Sequence, residues 1–193
     1  AETIAAIREG PNGDRLVGIR HLVHDEPDPQ WLLRDDVQRG LAAVAEAGLV
    51  YDLLVRTREL PAATEVARRL PNLRFALNHI AKPLIASQQI EPWDTAIGRI
   101  AELDNVACKV SGMVTEADWS SWSSADLEPY VEIVVDLFGP GRLMFGSDWP
   151  VCTLAASYSE VFEATVQILS KQVGADLDWA LWRCAAATYG VDV

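Results

Sequence analysis

The chain has 193 residues, half of them hydrophobic, which is enough to bury the core of one domain and too apolar for a disordered segment. Sixteen Lys and Arg against 28 Asp and Glu leave a net charge of −12, which repels phosphate backbones and anionic lipid and so argues against nucleic-acid and membrane partners, although it leaves room for a local basic pocket. Three widely spaced cysteines, Cys108, Cys152 and Cys184, suggest neither a disulfide framework nor a zinc ribbon; reduced thiols, with no signal-peptide pattern and no apolar run of about 18 residues, point to the cytoplasm.

In chain order, Glu2 to Arg8 is helix-like, and the chain begins there at Ala1 rather than Met, which reads as part of a longer protein. Leu16–Val23 is the first strand candidate. Asp35–Ala47 reads as a helix with Val37, Leu41 and Val44 on one face and Gly48 at its end. Leu49–Val55 is an apolar strand, Leu60–Leu70 a helix with Pro61 in its first turn, Leu73–Asn78 a strand and Pro92–Leu103 a helix. Asn105–Ser111 is a strand ending in Gly112. Asp126–Phe138 is a helix with Leu127, Val131, Val134 and Phe138 on one side, and Arg142–Phe145 is the fifth strand. Ser157–Leu169 and Asp178–Tyr189 close the chain as helices, the last with Trp179, Trp182 and Ala186 on one side. The whole span, 1–193, is read as one domain.

Five βα units with short connections call for a parallel sheet covered by helices, with the five strands adjacent and in chain order. An open doubly wound sheet and part of a closed (β/α)₈ barrel both satisfy that pattern. No Gly-x-Gly-x-x-Gly or Walker loop follows a strand, which weakens a nucleotide-binding fold. Polar residues stand instead at several strand ends (Arg20 and His24, Arg56, His79, Lys109 and Ser111, Asp148), as in a barrel whose chemistry comes from many strands.

The densest chemical signal is Arg142-Leu-Met-Phe-Gly-Ser-Asp-Trp-Pro150, in which an apolar run ends in glycine with Asp148 just beyond. Leu73-Arg-Phe-Ala-Leu-Asn-His-Ile-Ala-Lys-Pro83 has the same design, with His79 at the strand end and Lys82 past it. A histidine and an aspartate on separate strand ends suit one hydrolytic site; the alternative is a turn-forming Asp148 and a hydrogen-bonded structural His79. His24 is open between substrate contact and loop structure. His21, of opposite strand parity to Arg20, is read as packed against the helices. Lys109, inside an apolar strand, needs a partner and is read as structural. Lys82 is either solvated or site-facing. Trp31, Trp119, Trp122 and Trp149 either cover a sugar-like ring or anchor loops. Glu26 and Asp28 read as a solvated face, and Cys152 is a poor candidate for a catalytic thiol because no histidine adjoins it.

Four segments occur in order: Gly18-Ile-Arg-His-Leu-Val-His-Asp-Glu-Pro-Asp28, Asn78-His-Ile-Ala-Lys-Pro83, Cys108-Lys-Val-Ser-Gly112 with Thr115-Glu-Ala-Asp-Trp119, and Gly146-Ser-Asp-Trp-Pro150. Together they resemble the amidohydrolase-related (amidohydrolase 2) TIM-barrel family, in its lactone hydrolase branch with L-fuconolactonase and 2-pyrone-4,6-dicarboxylate lactonase. The resemblance covers essentially the whole chain. It implies an α/β fold, a partial (β/α)₈ TIM barrel containing roughly strands 4–8 with their helices, and a hydrolase that opens a sugar-like or carboxylated lactone by Asp-assisted attack of water. Asp148 would correspond to the family's eighth-strand aspartate, His79 to its sixth-strand histidine and Arg20 to the arginine of its fourth-strand Gly-Ile-Arg. The implied catalytic residues are Asp148 and His79, and the implied substrate contacts are Arg20, His24 and Trp149. One zinc-like divalent metal on His79 and Asp148 and a metal-independent reaction both remain open. The family's first-strand His-x-His has no counterpart, since the only histidines are His21, His24 and His79. The chain alone is therefore expected to be inactive, and its open sheet edges are expected to favour a homo-oligomer. The alternatives are a decarboxylase or another hydrolase on the same scaffold, or a non-catalytic half-barrel that needs a partner chain.

Overall fold

Short apolar strands separated by amphipathic helices can pair only side by side and parallel, because each helix carries the chain back to the same end of the sheet. The structure, a computed structural model, describes residues 2–192. Ala1 and Val193, the ends of the span assigned to one domain, lie outside the described residues. After helix α1 (Glu2–Glu9) come strand β1 (Gly18–His21), α2 (Asp35–Glu46), β2 (Val50–Leu53), α3 (Leu60–Arg69), β3 (Arg74–Leu77), α4 (Trp93–Ala101) and β4 (Val106–Val110). A short helix α5 (Met113–Glu116), α6 (Ser124–Phe138), β5 (Leu143–Phe145), α7 (Tyr158–Val173) and α8 (Cys184–Tyr189) complete the order.

The five strands form one parallel sheet in the order β1-β2-β3-β4-β5, as the βα alternation requires, with β1 and β5 at its edges. This is an α/β fold built as part of a TIM barrel. The register sets Arg20 beside Asp52, Asp52 beside Ala76, Ala76 beside Ala107 and Lys109 beside Met144, so these residues share the concave face. The opposite parity puts Tyr51, Phe75, Cys108 and Leu143 under the helices, in the main core. The expected α6 stripe of Leu127, Val131, Val134 and Phe138 is fully or nearly fully buried. Capping boxes at Ser123/Asp126 and Ser157/Glu160 start α6 and α7.

The last helix departs from the sequence reading. Trp179–Arg183 is a π-helical turn and α-helix resumes only at Cys184. Trp179 and Trp182 are exposed, while Ala180 and Cys184, four residues apart, are buried. Ala180 packs into the main core, and Cys184 is set by steric fit: α8 lies against the concave face on Val50, Ala76, Ala107 and Met144, where a small residue allows that approach. A cleft of about 620 Å³ remains between α8 and the β1 edge, walled by Ile19, Arg20, Lys109, Leu181, Trp182 and Tyr189.

The first four strands are shorter than expected at their carboxyl ends, because the chain turns there instead of continuing, whereas β5 ends at Phe145 as expected. Past β3 it enters a left-handed turn: His79, Ile80, Ala81 and Lys82 have φ of 54, 45, 58 and 51°. Each such residue costs about 1–2 kcal/mol outside glycine. The turn is held because Ile80 and Ala81 are fully buried, the Lys82 amide donates to the His79 carbonyl at 2.8 Å, and the Trp93 indole donates to the Ile80 carbonyl at 2.7 Å. Trp93→Phe keeps the buried ring but leaves that carbonyl without its donor. Urea denaturation should show a loss of about 1–3 kcal/mol, the usual cost of an unsatisfied buried acceptor.

Candidate active site

The left-handed turn brings the His79 ring back over the end of the sheet. Its Nδ1 lies 2.8 Å from the Ser111 hydroxyl at the end of β4, and its Nε2 lies 3.5 Å from Asp148 Oδ1 beyond β5. Gly112 makes this possible: a Cβ there would stand 2.7 Å from Cγ and Nδ1 of His79, and its φ of +63° is itself a glycine conformation. Gly146 has a matching role, since a Cβ there would meet the Ser111 Cβ at 3.0 Å. Asp148 also sits in the left-handed region, with φ 59°, and its carbonyl accepts the Cys152 amide at 2.9 Å. An aspartate tolerates that backbone better than most residues.

The charges around these two groups come from three more elements. The Lys82 ammonium donates to Glu116 Oε1, both side chains being mostly buried, at 13% and 19% exposure. Burial raises the Asp148 carboxyl above its ordinary value, Lys82 and Arg20 pull it down and Glu116 raises it. Asp148 is thus a stronger base than a solvated aspartate. Burial pushes the His79 imidazole down to about 3, with Lys82, Lys109, Arg20 and His24 acting in the same direction. The ring is neutral at physiological pH, and its tautomer depends on whether the ring or Ser111 donates in their shared hydrogen bond.

The structure therefore brings His79 and Asp148 together at the same end of the sheet, with Arg20 on the concave face of β1, the edge strand two places from β3 and at the opposite edge from β5. His24 lies in a 3₁₀ turn (Val23–Asp25), largely buried and 3.3 Å from Asp25 Oδ1; its Nδ1 has no partner among the described residues, and burial lowers its pKa. Trp149 is two-thirds exposed and its ring is not drawn into the His79–Asp148 pair. His21 stacks on Trp31 at 4.4 Å and hydrogen-bonds Glu26 at 2.7 Å, so Glu26 has a side-chain partner and is not simply a solvated face. The Trp122 indole donates to the Ala155 carbonyl and anchors its loop. Cys152 is fully buried, and burial raises its thiol pKa, with the Asp148 charge adding to the shift, which removes it from nucleophilic chemistry.

Sequence reasoning missed three groups. Ser111 was noted only as a polar strand end, and Glu116 only as part of a motif. Asp52 went unremarked, although a single carboxylate inside the apolar run Leu49–Val55 was signal enough. Asp52 accepts from Lys109 at 2.5 Å, from the Tyr189 hydroxyl at 2.5 Å and from Asn78 at 3.4 Å. This network supplies the partner that Lys109 required. For a divalent cation, His79 Nε2 and Asp148 Oδ1 offer two donors, and among the described residues no group of three His, Cys, Asp or Glu converges. That set does not fit a closed metal centre.

Comparison with known proteins adds to this geometry. A family profile described as "Amidohydrolase" matches residues 1–191. The chain is similar to proteins named L-fucono-1,5-lactonase from Burkholderia multivorans, at 39% identity over 97% of this chain and 65% of that protein, and from Burkholderia ambifaria, at 40% identity over 81% and 53%. The chain thus spans between about half and two-thirds of these relatives. It also superimposes on a crystal structure of a Burkholderia multivorans amidohydrolase with bound zinc, at a TM-score of 0.92 and 36% identity, covering 100% of this chain and 70% of that one.

The imidazole gives a pH test. The folded pKa of His79 lies below its unfolded value of 6.5, so below pH 6.5 the unfolded chain takes up a proton that the folded chain refuses. This contribution is complete above pH 6.5 and is lost as pH falls toward about 3. Thermal melts should show the unmodified protein losing more stability than His79→Gln over that window, and the His79 ring signals in NMR should not titrate near pH 6.5.

Proposed function

The chain belongs to the amidohydrolase family, and from that membership we propose that its site hydrolyses a lactone, the substrate being a sugar-derived 1,5-lactone of the kind for which its Burkholderia relatives are named. The observation that carries this reading is the pair formed by Asp148, made more basic by burial, and His79, held by Ser111, with Nε2 and Oδ1 3.5 Å apart. That spacing is long for a firm hydrogen bond and suits two groups converging on one reacting molecule.

In this mechanism Asp148 takes the proton of the attacking water as the water oxygen bonds to the lactone carbonyl carbon. When the tetrahedral intermediate collapses, the bond to the ring oxygen breaks and Asp148 returns the proton to that oxygen. The product is the open hydroxy acid. His79, neutral and fixed by Ser111, orients the water and the carbonyl. Arg20 offers a fork of N–H donors to substrate hydroxyl or carboxylate oxygens from the β1 edge. His24 and Trp149 are proposed as further substrate contacts from the loops after β1 and β5.

Asp148→Asn tests the reading cleanly, because asparagine tolerates the left-handed backbone as well as aspartate does and cannot accept the water's proton. In the complete barrel, hydrolysis of L-fucono-1,5-lactone and related aldonolactones, followed by a pH-indicator assay, should fall by about 10²–10⁴-fold in kcat/KM with an unchanged circular dichroism spectrum. Full turnover in Asp148→Asn would refute the assignment.

A further inference from the structure

Resting on the lactone reading, we propose that Lys82 is a further catalytic residue: its ammonium holds the lactone carbonyl oxygen as that oxygen becomes an oxyanion, and Glu116 positions it. The observation is the placement of a mostly buried cation beside the reacting pair. Lys82 is the last residue of the left-handed turn that begins with His79, and its amide donates to the His79 carbonyl at 2.8 Å, so the backbone that aims the imidazole also sets the root of the lysine. Its side chain is only 13% exposed. An ammonium has three N–H donors. One goes to Glu116, and among the described residues no other hydrogen bond to Lys82 Nζ is formed. A buried ammonium with uncommitted donors is costly unless a ligand completes its coordination.

The pairing with Glu116 explains why the cation can wait there without substrate. Glu116 is the last residue of α5, the short helix that follows Gly112, and α5 packs against the turn after Asp148. The carboxylate thus belongs to the same assembly as Ser111, Gly112 and Asp148. It directs Lys82 and leaves two of its N–H donors without a partner among the described residues. The electron balance is complete. Water's oxygen bonds to the carbonyl carbon, its proton goes to Asp148, and the C=O π pair moves to the carbonyl oxygen, where Lys82 meets the new charge. On collapse that pair re-forms the carbonyl, the ring C–O bond breaks and the proton on Asp148 passes to the ring oxygen. Lys82 neither gains nor loses a proton.

The test measures kcat and KM separately for lactone opening by the complete barrel, unmodified and as Asp148→Asn, Lys82→Met and Glu116→Gln. Loss of an oxyanion donor lowers kcat by about 10²–10³-fold with little change in KM, and that is the expectation for Lys82→Met. Because Lys82→Met leaves Glu116 without its cation, Lys82→Met/Glu116→Leu is measured beside it as a variant with neither charge buried. Lys82→Cys alkylated with 2-bromoethylamine restores an ammonium at nearly the same reach, and the three native thiols are buried. Recovery of kcat on alkylation is expected, and a merely structural lysine would not give it once the melting temperatures agree. The proposal is overturned if Lys82→Met or the double variant keeps kcat within about threefold of the unmodified protein, if the loss lies wholly in KM, or if alkylation restores nothing. If the unmodified complete barrel opens no lactone, the lactone reading falls and this assignment with it. If the unmodified protein and Asp148→Asn behave as expected while Lys82→Met retains kcat, only the role of Lys82 falls.

Discussion

The site depends on one backbone constraint, the left-handed turn from His79 to Lys82. A β-strand leaving the sheet normally continues into a loop that carries its side chains outward. Four successive residues at positive φ reverse that tendency and fold the chain back over the strand end. None of the four is glycine, so the conformation persists only because the surroundings over-determine it. Ile80 and Ala81 are sealed in the core, Trp93 reaches from α4 to bond the Ile80 carbonyl, and Ser111 and Glu116 hold the two polar side chains. Gly112 is the reciprocal device on the neighbouring strand, the absent side chain into whose space the His79 ring fits. Strain in one segment and vacancy in the next together place an imidazole, a hydroxyl and an ammonium within one small volume.

Below that layer a second polar network joins the C-terminal helix to the sheet. Asp52 and Lys109 occupy the concave face, where most neighbours are apolar, and neither would be tolerated alone. Tyr189 from α8 completes the pair: its hydroxyl donates to Asp52, and Lys109 lies 5.1 Å from its ring centroid. Burial, with the Asp52 charge next, holds the Tyr189 phenol well above its ordinary pKa, so it remains a donor throughout the working range. Such a buried network contributes more to choosing one arrangement than to net stability. Here it fixes the seat of α8, which apolar contacts with Val50, Ala76 and Met144 would leave free to slide.

The sheet was legible because its signal is periodic and redundant. Five apolar runs alternating with amphipathic helices admit few arrangements, and a small error at any strand end does not change the strand order. The strand ends themselves were overextended, because the turns that follow are built by tertiary contacts such as the indole of Trp93, which no local pattern announces. The π-turn at Trp179 escaped for a similar reason. The periodicity around Trp179, Trp182 and Ala186 is helical, but small residues face inward instead, Ala180 into the main core and Cys184 onto the surface that α8 meets. At the candidate site, the convergence of His79 and Asp148 was readable because each lies just past a strand end. Lys82 was left open between solvent and site, since its direction depends on the sign of φ. Asp52 and Glu116 were visible as residues but not as partners, because an ion pair between distant segments exists only once the fold is known.

The electrostatics of the site run against those of the whole chain. The net charge is −12, yet the groups that act on Asp148 include Lys82 and Arg20, and those that act on His79 are all cationic or basic. Under the lactone reading proposed above, an uncharged aldonolactone would be neither attracted nor repelled by the long-range negative field on approach, and the hydroxy acid would leave as an anion. At contact distance the mostly buried Lys82 and the exposed Arg20 would then act on charge as it develops. Beyond a Debye length of about 8–10 Å the local pair is screened, and the acidic surface faces the departing carboxylate. On that reading, a small basic pocket in an acidic protein would favour an anionic transition state over the neutral lactone, the differential binding on which catalysis rests.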